Sequence, residues 1–237
     1  MKTVFSALVL AAAICACAGE WKDIPYYDKD APAQGNVEYR TQRCKLKLST
    51  PNTGKGFPTL VHFHGGGLSR GNGGFPSYID RTKIAVVAPN YRLSGKGAEC
   101  PDYIYDAAAA VAWTIKNIEK YGGDPKKVYV SGQMTTHFRI LKERKQKDKS
   151  TPDFLIDEYA PVYHAKKGVP YMVFFVGDTG YDWPARVEEN ALLAARLTRV
   201  YKNTNVKFVS IPFGTHGTCG PPSRAMISNM LATGKML

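Results

Sequence analysis

The residues best suited to chemistry in this sequence are three consecutive glycines, Gly65, Gly66 and Gly67, which follow His64. They come directly after a short apolar run, residues 59–64, that has the composition of a β-strand. Glycine carries no side chain, so the backbone N–H groups here can approach a bound group and point at an oxygen that becomes negatively charged during a reaction. The segment predicts an oxyanion-binding loop. The alternative is a turn whose glycines only satisfy positive φ angles.

Apolar runs and amphipathic segments alternate along the chain and must position this loop. Strands are predicted at residues 59–64, 84–88, 127–130, 171–176 and 206–211, and helices at 103–120, 186–201 and after the two prolines 221–222. Residues 36–48 alternate as an edge strand or hairpin would. Several strands lack polar alternation, which is typical of strands buried on both faces. The pattern predicts a single α/β domain with a mainly parallel sheet flanked by helices.

The order of these motifs resembles that of secreted bacterial α/β-hydrolase esterases and lipases of the H-G-G-G type, including the carbohydrate acetyl and feruloyl esterase-like group. The similar stretches are VHFHGGG (61–67), APNYRL (88–93), DAAAAVAWTIKNIEKYGGDPKKVYVSG (106–132), FFVGD (174–178) and THG (215–217). The resemblance implies an α/β-hydrolase-like fold. It also implies a small-molecule or carbohydrate ester as substrate, hydrolysed through a serine acyl-enzyme without a cofactor.

The same resemblance implies two members of a catalytic triad. His216 follows the last predicted strand, where the family has its general base. Asp178 follows the strand at residues 171–176, near the family's acid, which holds the histidine in the correct tautomer. Asp182 is a rival for the acid, because Gly180 stands where some relatives place it.

The serine nucleophile that the family carries on a G-x-S-x-G turn is missing. The equivalent segment, residues 132–136, reads GQMTT, so Met134 stands at the position of the serine. A thioether has no proton to remove and cannot be acylated as a serine can. Thr135 and Thr136 do not lie at the apex of the turn.

The sequence after this turn is also unusual, because residues 135–149 are polar and basic with no apolar stripe. A helix and a strand expected before residue 171 are not evident. We interpret this as a deletion of about 45 residues, which removed the serine, its helix and one strand around residues 131–150. The chain would then be an inactive or crippled esterase, a pseudoenzyme.

A second serine, Ser69, matches the same pattern in the segment GLSRG (67–71). Its surroundings do not fit, because a Gly-rich loop follows instead of a helix. It also overlaps the predicted oxyanion loop, from which it would have to attack. Ser69 is therefore only an outside candidate for the nucleophile.

The N-terminal residues 1–18 have the pattern of a secretory signal peptide, which leaves residues 19–237 as the mature domain. We expect an exported protein, periplasmic or extracellular, without a membrane-spanning helix. Residues 14–17, ICAC, loosely resemble a lipobox, and lipidation of Cys17 would make the protein an outer-membrane lipoprotein. Of the remaining cysteines, Cys44, Cys100 and Cys219, two could form a disulfide.

The net charge of +12 on 237 residues raises the question of an anionic partner. The positive charges are scattered except at residues 139–149, and no nucleic-acid-binding motif accompanies them, so we predict no nucleic-acid partner. The histidine and cysteine spacing predicts no metal site. The alternative to an esterase is a non-catalytic exported binding protein, with an anionic or glycan ligand held beneath residues 65–67 and by the basic segment.

Overall fold

The computed structural model describes residues 19–52, 54–132, 136–151, 156–178 and 186–237. Its strands are β1 (Glu20–Pro25), β2 (Lys45–Ser49), β3 (Phe57–His62), β4 (Ala85–Pro89), β5 (Gly123–Ser131), β6 (Met172–Val176) and β7 (Val206–Ser210). Its α-helices are α1 (Val37–Arg43), α2 (Asp102–Asn117), α3 (Thr136–Lys147), α4 (Arg186–Ala195) and α5 (Gly220–Thr233). Short 3₁₀ turns lie at Ile118–Tyr121 and Pro161–His164, and a π-helical turn, Arg196–Val200, continues α4.

The strands form a five-stranded sheet in the order β1-β2-β4-β3-β5 and a two-stranded sheet of β6 and β7. β3 lies between β4 and β5 and is parallel to both, whereas β2 is antiparallel to β4 and β1 is antiparallel to β2. β6 and β7 are parallel to each other. The predicted α/β fold is therefore confirmed. The carboxyl ends of β3, β4 and β5 meet at one edge of the sheet, where the glycine loop begins.

Helices cover both faces of the larger sheet. Neighbouring residues of a strand point to opposite faces, so the apolar strands present side chains to both layers of helices. Val61 and Val87 pack with Ala110 of α2 on one face. Leu60 and Val86 lie on the other face, in the cluster that residues of α5 complete. These strand residues are almost fully buried, so the sheet is a rigid base for the loops at its edge.

A helix replaces the edge strand predicted for residues 36–48. α1 occupies its first part, and β2 begins only at Lys45. The side chain of Asn36 caps α1 by accepting a hydrogen bond from the N–H of Tyr39 (2.9 Å). Arg40, in the middle of α1, is buried and donates to the carbonyl of Pro32. The cap and this buried arginine favour a helix despite the alternating pattern.

The segment after β5 differs from its sequence expectation in one respect, because it contains a helix. α3 buries Ile140 and Leu141, and the carboxylate of Glu143 accepts from the N–H of Cys100 and the hydroxyl of Tyr103, both at 3.3 Å. No strand lies between β5 and β6 in the described residues. The deletion itself stays a prediction, since residues 133–135 and 152–155 lie outside the described ranges.

Two further expectations concern processing and cysteine pairing. Residues 1–18, with Cys17, lie outside the described ranges, so export and lipidation stay predictions. No disulfide joins Cys44, Cys100 and Cys219 to one another. Across the described ranges, no helix combines the length and the apolar composition that crossing a bilayer requires.

Candidate active site

The glycine loop begins at the carboxyl end of β3 and has a backbone that only glycine adopts easily. Gly66 has φ 116° and Gly67 has φ 59°. A Cβ atom on Gly66 would lie 2.1 Å from the carbonyl oxygen of Arg70, whereas one on Gly67 would meet open space. No hydrogen bond of the described residues uses the N–H groups of Gly65, Gly66 or Gly67. These donors are therefore available to a bound oxygen, as an oxyanion loop requires.

His64 anchors this loop to the neighbouring strand. Its ring stacks on Tyr91 with 4.4 Å between the centroids, and the Tyr91 hydroxyl donates to the His64 carbonyl (2.7 Å). Its Nδ1 is 2.7 Å from the carbonyl of Gly65, an oxygen that can only accept, so Nδ1 carries a proton. Burial lowers the pKa of His64, which favours the neutral ring. His64 therefore acts as a neutral support of the loop.

Ser69 lies in a turn at the end of the same loop. Its hydroxyl donates to the carbonyl of Gly66 (3.4 Å), and its N–H donates to the same oxygen (3.2 Å). No histidine contacts this hydroxyl in the described residues. Without a base to remove its proton, Ser69 is not an activated nucleophile in this arrangement.

Asp178 and His216 follow the two strands of the smaller sheet, in loops that contact each other. The N–H of Asp178 donates to the carbonyl of Gly214 (2.8 Å). The Asp178 carboxylate accepts a hydrogen bond from the N–H of Phe213 (3.2 Å). No hydrogen bond joins this carboxylate to the imidazole of His216, although both residues are described. The acid and the base of the expected triad are thus close in the fold but not coupled.

The imidazole of His216 instead contacts the guanidinium of Arg186, at the start of α4, through Nδ1. A guanidinium only donates hydrogen bonds, so Nδ1 of His216 must accept, and we infer that the ring proton is on Nε2. A triad requires the opposite tautomer, in which Nδ1–H donates to the acid and Nε2 is free to take the serine proton. With this tautomer, His216 Nδ1 cannot donate to Asp178 as the resemblance implies.

The other candidates for the nucleophile and the acid lie at or beyond the limits of the described ranges. Met134, Thr135 and Asp182 lie outside the described residues, and Thr136 begins α3. Their assigned roles stay predictions. In the described part of the chain, no three His, Cys, Asp or Glu side chains come together to hold a metal ion.

The structure also brings together polar residues that the sequence analysis did not select. His62 and Ser131 end the neighbouring strands β3 and β5 in register, and His62 Nδ1 is 2.9 Å from Ser131 Oγ. The rings of His62 and Tyr78 pack in a T-shaped arrangement with 6.1 Å between their centroids. Burial lowers the pKa of His62, and the charge of Arg224 lowers it further. No local signal marks this cluster, because its members come from four separate segments.

The family match follows the elements that build this edge of the sheet. The model of the family described as BD-FAE matches residues 46–177, more than half of the chain, from β2 through the glycine loop to the end of β6. The chain belongs to the BD-FAE family. The matched range ends just before Asp178 and does not reach His216. The matched range thus contains β3 to β6 and the glycine loop, and it contains neither β1 nor β7.

Proteins of known activity that resemble the chain are esterases and other hydrolases. A phenmedipham hydrolase of Pseudarthrobacter oxydans is 36% identical over 111 residues, covering 42% of this chain and 22% of that protein. An arylacetamide deacetylase of Oryctolagus cuniculus is 34% identical over 106 residues, covering 41% of this chain and 25% of that protein. The chain thus spans about a fifth to a quarter of the length of these relatives. This chain is a member of an esterase family.

Solved structures share its fold. A bacterial heroin esterase has a TM-score of 0.65 at 19% identity and covers 93% of this chain and 84% of its own. A truncated form of a carbohydrate esterase from gut microbiota has a TM-score of 0.63 at 13% identity and covers 93% and 97%. At these identities the likeness establishes the α/β-hydrolase fold alone.

Proposed function

We propose that this chain is an exported, catalytically deficient member of the esterase family, which binds an acyl ester at residues 65–67 without hydrolysing it through a triad. The contact of His216 Nδ1 with Arg186 carries this proposal. It occupies the nitrogen that would have to donate to Asp178, while the Asp178 carboxylate bonds to the backbone of Phe213. The free N–H groups of the glycine loop support retained binding of a carbonyl oxygen.

The missing serine agrees with this proposal. Loss of a triad serine typically lowers kcat by about 10⁶-fold, and binding with oxyanion groups retains a residual acceleration of about 10³–10⁴ over water. Met134 at the serine position would therefore leave a protein that recognises esters but turns them over at close to background rate. The signal-peptide pattern of residues 1–18 supports export.

The alternative, an anion-binding role for residues 139–149, is not favoured by the contacts of α3. Arg144 forms an ion pair with Asp157, and Lys147 forms one with Glu99. The guanidinium of Arg144 also lies over the ring of Tyr159 (5.0 Å to the centroid). These contacts engage Arg144 and Lys147 within the protein, which makes these two residues less available to an anionic ligand.

The test is fluorophosphonate labelling of the purified protein, read by intact mass and peptide mapping, on a sample that melts cooperatively. We expect no adduct, and we expect saturation-transfer NMR to detect phenyl acetate bound without hydrolysis. The His216→Ala variant should match the parent in both measurements, because His216 is not used as a base.

Three results would overturn the proposal. A stoichiometric adduct on any serine, Ser69 included, would demonstrate an active nucleophile. Hydrolysis of phenyl acetate that disappears in His216→Ala would demonstrate an assembled triad. A folded protein that does not bind phenyl acetate would refute ester recognition.

A further inference from the structure

A groove of about 650 Å³ lies between Tyr78 and one face of α5. Its helix side is a continuous stripe, since the lining residues recur three or four positions apart. The polar members are Arg224, Ser228 and Asn229, and the apolar members are Pro221, Ala225 and Ala232. A volume of this size accepts a small organic molecule. The groove has a charged and hydrogen-bonding portion and an apolar portion on the same helix.

Arg224 supplies a positive charge that no carboxylate of the described residues neutralises. α5 contains no aspartate or glutamate, and Arg224 forms no ion pair with any residue in the described ranges. Its guanidinium lies over the ring of Tyr78, 5.8 Å from the centroid. Stacking on an aromatic face leaves the guanidinium edges free to donate, in the fork geometry that matches a carboxylate. This distinguishes Arg224 from Arg144 and Lys147 of α3, which already have acidic partners.

Tyr78 is held in place by His62 and Ser131, so the groove wall is preformed. The ring of His62 packs against Tyr78 in a T-shaped arrangement, and His62 is fixed in turn by its 2.9 Å contact with Ser131. Burial has the larger effect on the pKa of Tyr78 and raises it. The Ser131 hydroxyl also interacts with the Tyr78 hydroxyl, and this interaction lowers the pKa of Tyr78. The ring that supports Arg224 is therefore fixed to the ends of β3 and β5. A preformed wall lowers the conformational entropy that a ligand must remove on binding.

We propose that this groove is a binding site for a small organic carboxylate, with the carboxylate on Arg224 and the apolar body along Ala225 and Ala232. Ser228 and Asn229 supply further hydrogen-bonding groups beside the guanidinium. A single guanidinium balances one negative charge, and the apolar stripe gains from burying a hydrocarbon body. Inorganic phosphate offers no apolar body and would need several cations, which the groove does not present. None of the lining residues belongs to the glycine loop, and the proposal does not rest on ester binding there.

The experiment is ¹⁹F NMR titration of the full-length protein with 4-fluorobenzoate, compared with neutral 4-fluorobenzamide and with inorganic phosphate as a competitor. We expect saturable binding of the benzoate with a Kd of about 1 mM, a typical value for one charged contact plus a small apolar body. The benzamide should bind at least about tenfold more weakly, and equimolar phosphate should displace little benzoate.

Matched arginine variants locate the site. Arg224→Gln should weaken benzoate binding about tenfold, and Arg224→Lys should weaken it less, because the charge remains but the planar fork is lost. Arg199→Gln removes the same charge from an exposed residue of the π-helical turn and should leave binding unchanged. Arg224 is exposed, so a cooperative melt should be retained in its variants.

Each of the other outcomes contradicts the proposal. If 4-fluorobenzoate and 4-fluorobenzamide bind with equal affinity, the carboxylate does not contribute to recognition. Equal loss in Arg199→Gln and Arg224→Gln would assign the effect to net charge rather than to the groove. Displacement by phosphate at equal concentration would identify a general anion site, and a folded protein without saturable benzoate binding would leave no site at all.

Discussion

Replacing Asp106 with alanine should destabilise the domain more than most single substitutions, because Asp106 is the acid of a buried ion pair. Asp106 lies in α2 and Arg92 lies just after β4, and both side chains are fully buried. The carboxylate accepts from Arg92 through the backbone N–H (2.8 Å), Nε (2.9 Å) and the terminal guanidinium nitrogen (2.9 Å). It also accepts from the hydroxyl of Tyr27 (2.7 Å).

The magnitude follows from what Asp106→Ala leaves behind. Arg92 would keep its contact with Asp102, at 3.2 Å, but would lose its fully buried partner. Breaking a buried pair by removing one partner typically costs about 3–5 kcal/mol. For a domain of this size each 1 kcal/mol corresponds to about 2–4 °C in Tm, so we expect a decrease of roughly 6–20 °C. That loss is a large part of the 5–15 kcal/mol by which domains are typically stable.

The assay is urea unfolding followed by circular dichroism, with the exposed pair of Asp28 and Lys116 as control. These two groups are 3.2 Å apart with side chains 70% and 67% exposed, so Asp28→Ala should cost less than about 1 kcal/mol. If Asp106→Ala lowers the free energy of unfolding no more than Asp28→Ala does, at an unchanged m-value, that result would contradict the ion pair between Asp106 of α2 and Arg92 after β4.

Three further predictions concern the loop, the missing serine and pH. Gly66→Ala should lower stability by at least about 1–3 kcal/mol and abolish phenyl acetate binding, because its Cβ would meet a backbone oxygen at 2.1 Å. Gly67→Ala should cost only about 1 kcal/mol, and equal effects in both variants would argue against the loop geometry. Met134→Ser should not produce fluorophosphonate labelling, because the deletion removed the helix that follows the serine turn, whereas a labelled Met134→Ser protein would contradict the deletion. The pKa values of His62 and His64 are lowered in the folded protein, whereas histidines of the unfolded chain titrate near 6.5. In mild acid the unfolded chain therefore binds more protons than the folded protein does. The free energy of unfolding should therefore fall as the pH is lowered from about 7 to about 5. Urea unfolding at several pH values measures this dependence. If His62→Gln shows the same dependence of stability on pH as the parent, the contribution assigned to His62 is wrong.

The sequence was informative where local pattern determines structure. β3 and β4 are apolar runs that are largely buried, as their composition predicts, and the glycine loop follows β3 directly. α1 could not be predicted in this way, because Val37 and Tyr39 alternate as in a strand. Its cap by Asn36 and the burial of Arg40 depend on neighbouring chain segments.

The side-chain arrangement of the site was less predictable for the same physical reason. The positions of Asp178 and His216 after consecutive strands follow from the motif order. Their lack of coupling does not, because it depends on Arg186 reaching His216 from α4, 30 residues away along the chain. The pairing of His62 with Ser131 likewise requires knowing that β3 lies beside β5 and in which register.

The separation of the two sheets has a consequence for how the molecule opens. Phe174, Leu193, Leu197 and Val206 form an apolar cluster within the β6–β7 unit, distinct from the clusters on the larger sheet. No β-ladder joins β5 to β6 in the described residues, so backbone hydrogen bonds do not couple the two units. Contiguous structural units of this kind often exchange their amide protons as separate foldons. The amide protons of the β6–β7 unit can then exchange while those of β3, which carries the glycine loop, stay protected. The loops with Asp178 and His216 would therefore open on a different timescale from the glycine loop.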